Sequence, residues 1–164
     1  MLHLVTSAKQ LDFPVLMNIY AESLEISARQ EYPKEPPALG QMFAEQDFRG
    51  YLRDSFFQTD TAFCALWEAE DRMVAALRVE PYRDGMIVAG LEVAPDYRKK
   101  GYATMLLAEI AKTLRGRRIY SHVKKSNASS LRVHEKCGFA VISQSAVYLD
   151  GSVMSDSYTL LLEA

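Results

Sequence analysis

The chain has 164 residues, of which 49% are hydrophobic and 24% charged, and its formal net charge is −2. This length and composition are typical of one soluble globular domain, which we expect to span residues 1–164. The composition excludes a membrane-spanning class, because no apolar run approaches ~20 residues, and a disulfide-rich secreted class, because there are only two cysteines.

The N-terminal part of the chain predicts a strand and two helices. Residues 2–6 form a short strand, and Asp12 can cap a helix that has Pro14 in its first turn. That helix should end before the proline-containing segment 32–37, since proline cannot continue it. Aromatic and apolar residues recur at helical spacing in residues 41–57, which predicts the second helix.

Strands dominate the rest of the chain, where apolar runs are short and separated by turn sequences. The pair Asp84-Gly85 predicts a hairpin turn, and Gly116 and Gly138 end the two remaining helices. The predicted elements are strands over 62–67, 73–80 and 86–93, a helix over 103–114, a strand over 118–123, a helix over 128–136, and strands over 139–149 and 152–162. Their order, β-α-α-β-β-β-α-β-α-β-β, predicts one α/β domain.

The connection between the strand 86–93 and the next helix has the features of an anion site. The strand stops before Pro95, and the helix that follows begins with N–H groups that have no partner within it. Those donors and the positive end of the helix dipole bind anions. Residues 98–100 are three consecutive cations at a helix end where cations are unfavourable unless an anion is bound. Gly101 lets the backbone approach a ligand closely, so we expect a ligand with several phosphates.

Charge is distributed unevenly around this site. Residues 1–97 contain 8 Lys and Arg against 16 Asp and Glu, whereas residues 98–136 contain 11 against 2. An electrostatic field from charges separated in this way can steer an anionic ligand to one side of the molecule and a cationic ligand to the other. The alternative is that these charges are solvated on unrelated faces.

A second motif covers residues 127–139, which read Asn-Ala-Ser-Ser-Leu-Arg-Val-His-Glu-Lys-Cys-Gly-Phe, while residues 93–103 read Val-Ala-Pro-Asp-Tyr-Arg-Lys-Lys-Gly-Tyr-Ala. Together the two segments resemble the signatures of the GNAT superfamily of acetyl-CoA-dependent N-acetyltransferases. Those signatures are Val-x-Pro-x-x-(Arg/Gln)-x-x-Gly-x-(Gly/Ala) and Asn-x-x-(Ala/Ser)-x-x-(Leu/Val)-(Tyr/His)-x-Lys-x-Gly-Phe. The resemblance extends to the order of elements. It implies a mixed, mostly antiparallel central sheet flanked by helices.

The resemblance also implies acetyl-CoA as the co-substrate and indicates which residues bind it. Backbone groups from Leu91 to Val93 would pair with the pantetheine arm as though it were an extra strand. Asn127 and Ser130, on the short helix, would contact the distal part of the cofactor. The pyrophosphate would lie on the backbone N–H groups of Arg98, Lys99, Lys100, Gly101, Tyr102, Ala103 and Thr104.

Three residues are candidates for catalysis. His134 stands where many relatives place a tyrosine that protonates the leaving CoA thiolate, and a histidine can also donate a proton. The backbone N–H of Val93 is the best candidate to stabilise the oxyanion of the thioester carbonyl. Glu92 is a candidate base or amine anchor, since Ile87 and Ala89, where relatives often carry a base, are apolar. Its alternative role is that of a buried, hydrogen-bonded structural carboxylate.

We expect direct transfer in a ternary complex to a small cationic amine, with Glu22, Glu25 and Glu45 as further candidates for binding it. A protein N-terminus or lysine is an alternative acceptor, and the sequence leaves a homodimer open. We expect no metal, because His134 and Cys137 have no further ligands beside them, and no nucleic acid or membrane partner. With no signal-peptide pattern at the N-terminus, a cytoplasmic location is expected.

The alternative from another functional class is a catalytically silent module that binds acyl-CoA, as a sensor or an assembly subunit. The histidine at position 134 and the apolar residues Ile87 and Ala89 are the features that favour it. An assay for thiol release distinguishes the two hypotheses.

Overall fold

The N-terminal strand and helices form largely as their sequence predicts in the computed structural model, which describes residues 1–163. Asp12 caps the first helix by accepting a hydrogen bond from the Val15 N–H (3.3 Å), which confirms the predicted cap. The predicted first helix is divided at Tyr20, whose φ of −90° and ψ of 12° leave the helical range. The bounds are β1 Leu2–Val5, α1 Phe13–Ile19, α2 Ala21–Glu31 and α3 Pro37–Asp54.

Helix α3 begins four residues earlier than predicted. Pro36 is its N-cap residue and Pro37 its first helical residue. A proline at that position stabilises a helix start, because its missing N–H would have no partner there. The proline-containing segment therefore follows the end of α2 and also contains the start of α3. The end of the predicted helix is a separate 3₁₀ turn over Phe56–Gln58.

Most of the remaining elements have close to their predicted bounds. Helix α5, in particular, covers the residues expected from the sequence. The elements are β2 Phe63–Ala69, β3 Arg72–Tyr82, β4 Gly85–Val93, α4 Tyr102–Thr113, β5 Arg118–Lys124, α5 Ala128–Lys136, β6 Ala140–Ser143, β7 Ala146–Val147, β8 Val153–Met154 and β9 Ser157–Glu163.

The two long C-terminal strands of the prediction are in fact four. The Ser143 hydroxyl accepts a hydrogen bond from the Ser145 N–H (3.2 Å), a local contact that turns the chain out of β6. Strands β7 and β8 then form a separate two-stranded hairpin. Strand β9 returns to the main sheet between β5 and β6.

The main sheet has the strand order β1-β2-β3-β4-β5-β9-β6 over the described residues. Every neighbouring pair among these strands is antiparallel except β4 and β5. Helices α1 to α3 pack on one face of the sheet, and α4 and α5 pack on the other. This arrangement confirms the predicted mixed, mostly antiparallel sheet flanked by helices. Within residues 1–163, no helix is both long and apolar enough to cross a membrane.

Two irregularities of β4 shape the site. Its parallel pairing with β5 is confined to Met86–Val88, so the two strands separate beyond that point. Its pairing with β3 shifts register between Ala89 and Glu92, which leaves Gly90 in a bulge with a φ of +59°. A left-handed φ of this kind favours glycine.

Candidate active site

The separation of β4 from β5 leaves one edge of β4 open beyond Val88. The Ala94 N–H donates to the Val74 carbonyl on β3 (2.8 Å). Because successive N–H groups of a strand point in opposite directions, the Val93 N–H points away from β3, toward the open edge. Leu91 and Val93 pack with their side chains on the α4 and α5 side. The backbone of this segment can therefore accept an extended ligand as an added strand.

The open edge leads to the start of α4. Gly101 is the N-cap residue of this helix, with a φ of +85° and no side-chain cap, and the first turn contains no acidic residue. Within residues 1–163, the N–H groups of Gly101 to Thr104 donate no hydrogen bond. Lys99 and Lys100 are exposed beside them. Four free donors, the helix dipole and two cations make this an anion-binding position.

Arg98 makes contacts that its sequence position does not suggest. Its Nη1 lies 2.5 Å from the Glu22 Oε2 on α2, and its Nε donates to the Val93 carbonyl (3.2 Å). Its own N–H donates to the Pro95 carbonyl (3.4 Å). Arg98 thus joins α2 to the end of β4, and its binding of the cofactor stays a prediction.

Helix α5 lies beside the point at which β4 and β5 separate. Asn127 caps this helix by accepting a hydrogen bond from the Ser130 N–H (3.0 Å). His134 is only 2% exposed, and its ring packs edge-on against Phe139. Its Nε2 lies 2.8 Å from the hydroxyl of Ser121, which pairs with Val88, the last β4 residue in register with β5.

The hydrogen bonds of His134 define its protonation. Its Nδ1 lies 2.8 Å from the Ser130 carbonyl, which only accepts, so Nδ1 carries the proton and Nε2 accepts from the Ser121 hydroxyl. Burial lowers the pKa of His134 below its ordinary value, although the bond to Ser130 opposes this shift. The imidazole is therefore neutral at neutral pH. The one N–H of the ring is bonded to the Ser130 carbonyl, and the contact of Nε2 is with Ser121, a residue that the sequence motif does not contain.

The opposite face of β4 borders a cavity of about 500 Å³ between α2, α3 and the sheet. Its charged lining consists of the acidic residues Glu31, Asp47 and Glu92 and the cation Arg78. Tyr20 forms part of the floor, and its hydroxyl donates to the Gly90 carbonyl (2.6 Å). The cavity is thus acidic overall and reaches the strand that carries Val93.

Glu92 points into this cavity. It is partly buried, and the Ser23 hydroxyl donates a hydrogen bond to its Oε1. Burial raises the pKa of Glu92, while the Ser23 hydrogen bond and the Arg98 charge oppose the rise. A buried carboxylate with a raised pKa can take up a proton, and this is the property needed of a base.

The other acidic residues expected at the acceptor site lie elsewhere. Glu22 pairs with Arg98, Glu25 pairs with Arg29 one turn along α2, and Glu45 accepts from the Gln41 side chain (3.2 Å). None of these three glutamates is among the described residues that line the cavity. Helical spacing places side chains on a face but does not show which face meets a cavity, so spacing alone does not select among the acidic residues of α2 and α3.

Sequence reasoning missed Arg78, Ser121, Ser23 and Tyr20. Arg78 did leave a signal, since it interrupts the apolar run of β3 at a position between buried neighbours. Ser121 likewise interrupts an apolar strand and is buried. A polar residue inside such a run needs a partner, and the sequence alone does not identify that partner.

Comparisons with known proteins agree with this geometry. A family model described as "Acetyltransferase (GNAT) family" matches residues 16–139. The ribosomal-protein-S18-alanine N-acetyltransferase of Escherichia coli has a similar structure, with 20% identity and a TM-score of 0.62 over 99% of this chain and 93% of that one. No curated protein matches the sequence.

Two similar structures contain coenzyme A. The PaiA N-acetyltransferase of Thermoplasma acidophilum, solved with coenzyme A, has 12% identity and a TM-score of 0.66 over 100% of this chain and 99% of that one. An acetyltransferase of Bacillus subtilis, solved with CoA, has 16% identity and a TM-score of 0.62 over 99% and 97%. At these identities the likeness establishes the fold.

Proposed function

The chain belongs to the GNAT family of acetyltransferases, and we propose that it transfers an acetyl group from acetyl-CoA to the nitrogen of a small amine in a ternary complex. The observation that carries this proposal is the separation of β4 from β5 beside an uncapped helix start. The acidic cavity on the other face of β4 supplies a place for the amine. A cytoplasmic place of action is part of the same proposal.

The residues around the separated strands fit acetyl-CoA as co-substrate. The N–H groups of Gly101 to Thr104 would hold the pyrophosphate, with Lys99 and Lys100 beside it. The open backbone from Leu91 to Val93 would pair with the pantetheine arm. Asn127 and Ser130 would contact the distal part of the cofactor from the start of α5. Acetyl-CoA supplies an activated acetyl thioester there.

The chain's own groups then account for each proton and bond. A primary ammonium must first lose a proton, because its ordinary pKa near ~10.4 keeps it protonated at neutral pH, and Glu92 is the proposed acceptor of that proton. The amine nitrogen bonds to the acetyl carbon while the Val93 N–H stabilises the carbonyl oxygen. The carbon–sulfur bond breaks with its electron pair on sulfur. The thiolate takes up the second proton, which the nitrogen loses as the amide forms, and the Ser121 hydroxyl held by the His134 Nε2 is the proposed carrier of that proton.

The acidic cavity supports an acceptor that carries an ammonium group. Glu31, Asp47 and Glu92 outnumber the single cation in its lining, so an ammonium is favoured there over a neutral or anionic group. The same enclosure favours a small molecule over a folded protein surface. A peptide N-terminus is therefore the second acceptor class to test.

The silent acyl-CoA-binding module is the second candidate function, and the state of His134 favours it. Both imidazole nitrogens are engaged within the described chain, and neither presents a proton to the open edge of β4. A silent module of this kind would keep the site that binds acyl-CoA but would lack a residue able to protonate the leaving thiolate. The experiment below separates the two functions.

The test is thiol release from acetyl-CoA in the presence of a panel of small amines and short peptides, with CoA binding measured by calorimetry. The proposal predicts CoA binding and amine-dependent thiol release matched by acetylated product. Tight CoA binding without release on any amine would favour the silent module. Absence of CoA binding would contradict both functions.

A further inference from the structure

Arg78 is a cation without an anionic partner in the cavity that borders β4. Within residues 1–163, no carboxylate oxygen lies within 4.0 Å of its guanidinium. Its Nε is buried and makes no hydrogen bond in the described chain. A buried donor without a partner is unfavourable, so a cation of this kind at a cavity wall is poised for an anionic ligand.

The surroundings hold the guanidinium in place without satisfying its donors. Its Cζ lies 5.8 Å from the ring centre of Tyr20, 5.3 Å from that of Phe48 and 5.7 Å from that of Tyr51. Aromatic faces attract a guanidinium and restrict its position, but they accept no conventional hydrogen bond from its N–H groups. The cage therefore orients the cation, whose charge and contact oppose the raised pKa of the Tyr51 hydroxyl, while Nε keeps no partner within residues 1–163.

The backbone of β4 is also fitted to this cation. A Cβ on Gly90 would lie 3.0 Å from the Nη1 of Arg78 and 3.1 Å from its Nη2. Glycine at this position allows the guanidinium to lie directly against the strand. The Tyr20 hydroxyl fixes the same residue by donating to the Gly90 carbonyl (2.6 Å). The guanidinium of Arg78, which belongs to β3, is thus held against Gly90 of β4. Gly90 lies three residues before Val93, whose N–H is proposed to bind the acetyl carbonyl.

The charge of Arg78 acts on two nearby carboxylates, since it opposes the raised pKa of both Glu80 and Glu92. Neither forms an ion pair with it, and Glu92 accepts from the Ser23 hydroxyl instead. The cavity therefore holds a cation near acidic groups without direct pairing. A ligand that carries both a carboxylate and an amine matches this separation of charge.

We propose that Arg78 binds the carboxylate of the acceptor, so that the acceptor is an amino carboxylate such as an α- or β-amino acid. The inference rests on the proposed acetyl transfer and names its substrate class. A guanidinium binds a carboxylate through two parallel N–H···O bonds, which fixes both the position and the orientation of the ligand. The amine of that ligand then lies on the side of Glu92 and Val93.

The reach of such a ligand agrees with the geometry. Gly90 and Val93 are three residues apart, which is at most about 10 Å along the chain, and the bulge at Gly90 shortens this distance. A contact of about 2.8 Å between guanidinium and carboxylate, and an attack distance of about 3 Å, leave at most about 4 Å between the carboxylate and the amine. The two groups of α- and β-amino acids lie within this limit.

The test compares L-amino acids with their carboxamides in the thiol-release assay on the wild-type protein. Each pair has the same side chain and amine and differs in the carboxylate charge. We expect kcat/KM to be at least about tenfold higher for the carboxylates, in line with a charge-assisted bidentate contact. Equal values for the two series would overturn the inference.

A variant assigns the preference to Arg78. Arg78→Met keeps the length and apolar stem of the side chain, and it should raise KM for the amino acids and remove their advantage over the carboxamides. Arg72→Met, at the exposed start of the same strand and outside the cavity, is the matched control and should behave as wild type. A carboxylate preference that survives in Arg78→Met would overturn the assignment.

The outcomes separate this inference from the proposed function. Thiol release with plain amines and no carboxylate preference would contradict only the inference. Absence of release with every amine would contradict the acetyl transfer and the acceptor class together. If Arg78→Met does not fold, the wild-type comparison of carboxylates with carboxamides still decides the question.

Discussion

Glu92 is the residue at which the proposed cofactor strand and the acceptor cavity meet. Its backbone belongs to β4, and its side chain lies in the cavity beside Ser23. Burial raises the pKa of Glu92 above its ordinary value. A carboxylate whose pKa moves toward neutrality is a stronger base than an ordinary surface carboxylate, so burial suits Glu92 to accept a proton from an amine.

Glu92→Gln should lower kcat/KM for acetyl transfer by about 10²- to 10⁴-fold, the usual contribution of a general base, and leave CoA affinity unchanged. The ionised carboxylate is the active form, so wild-type activity should be lost as pH falls through the raised pKa of Glu92. A pH profile of kcat/KM measures this limb, which should be missing from the variant. Glu25→Gln, an exposed glutamate outside the cavity, is the control. Full activity of Glu92→Gln would give Glu92 the structural role.

His134 shows how burial changes the chemistry of a motif residue. The motif suggests a proton donor, but the structure gives a neutral imidazole whose Nε2 accepts from Ser121. Only the identity of the residue could be read from the sequence, because its partners come from β5 and from the preceding turn of α5. The acid role therefore stays a prediction in which Ser121 takes part.

His134→Gln should lower kcat more than it changes the KM for acetyl-CoA, and Ser121→Ala should have the same effect if the proton passes through the hydroxyl. His122→Gln is the control, since burial lowers the pKa of His122 as well. Steady-state kinetics of the three variants decide the question. A fully active His134→Gln variant would remove the imidazole from the mechanism.

The substitution His134→Gln should also change how the free energy of unfolding depends on pH. Because burial lowers the pKa of His134, the unfolded chain binds this proton first as pH falls, and stability is lost below the ordinary histidine pKa of about 6.5. Urea unfolding between pH 5 and pH 8 should show a shallower acid-side loss for His134→Gln than for the wild-type protein. Identical slopes would contradict the burial of a neutral imidazole.

At the scale of elements, the start of α4 is the part of the site that the sequence defines best. Its signal is local, because the proline, the three cations and the glycine lie within seven residues, and the structure adds the left-handed φ of Gly101. Arg98 is the exception. Its partner Glu22 lies on α2, and sequence spacing carries no information about that contact.

Gly101→Ala should weaken CoA binding by at least about tenfold, because the new Cβ would occupy the space of the pyrophosphate and because φ is left-handed there. Gly116→Ala is a matched control, since Gly116 has the same φ of +85° and equally open surroundings after the end of α4. Both variants should lose similar stability in thermal unfolding. Only Gly101→Ala should lose affinity in calorimetry, and equal affinity in both variants would contradict the phosphate assignment.

The bounds of most elements could be predicted because their periodicity and turns are local. The C-terminal strands were the main error, as β9 lies between β5 and β6 and the hairpin of β7 and β8 stands apart. These divisions depend on pairing with distant strands, as when β9 pairs with β5 across 30 or more residues. Alternation along the chain cannot show where a strand changes its partner.

At the scale of the molecule, the sheet separates the two proposed sites. Helices α4 and α5 lie on the side of the proposed cofactor site, whereas α2 and α3 border the cavity on the other. Strand β4 belongs to both sides, with Val93 on its open edge and Glu92 in the cavity. In the proposed reaction, this arrangement would bring an acetyl donor and an amine to one strand from opposite faces.

The two halves differ in how far the sequence could describe them. The cofactor half consists of two contiguous motifs, and a family resemblance covers both. The acceptor half is assembled from α2, α3 and two strands, so its acidic residues Glu31 and Asp47 and its cation Arg78 come together only in the folded chain. The lining of the cavity is therefore set by tertiary contacts rather than by a motif, and so is the acceptor specificity that we propose for it.

The most direct test of the proposed cofactor site is a crystal structure of the protein with CoA. We expect the pyrophosphate on the N–H groups of Gly101 to Thr104 and the thiol within about 3 to 4 Å of the Val93 N–H, facing the cavity that holds Glu92. A CoA molecule bound elsewhere, or with its sulfur away from the open edge of β4, would contradict it.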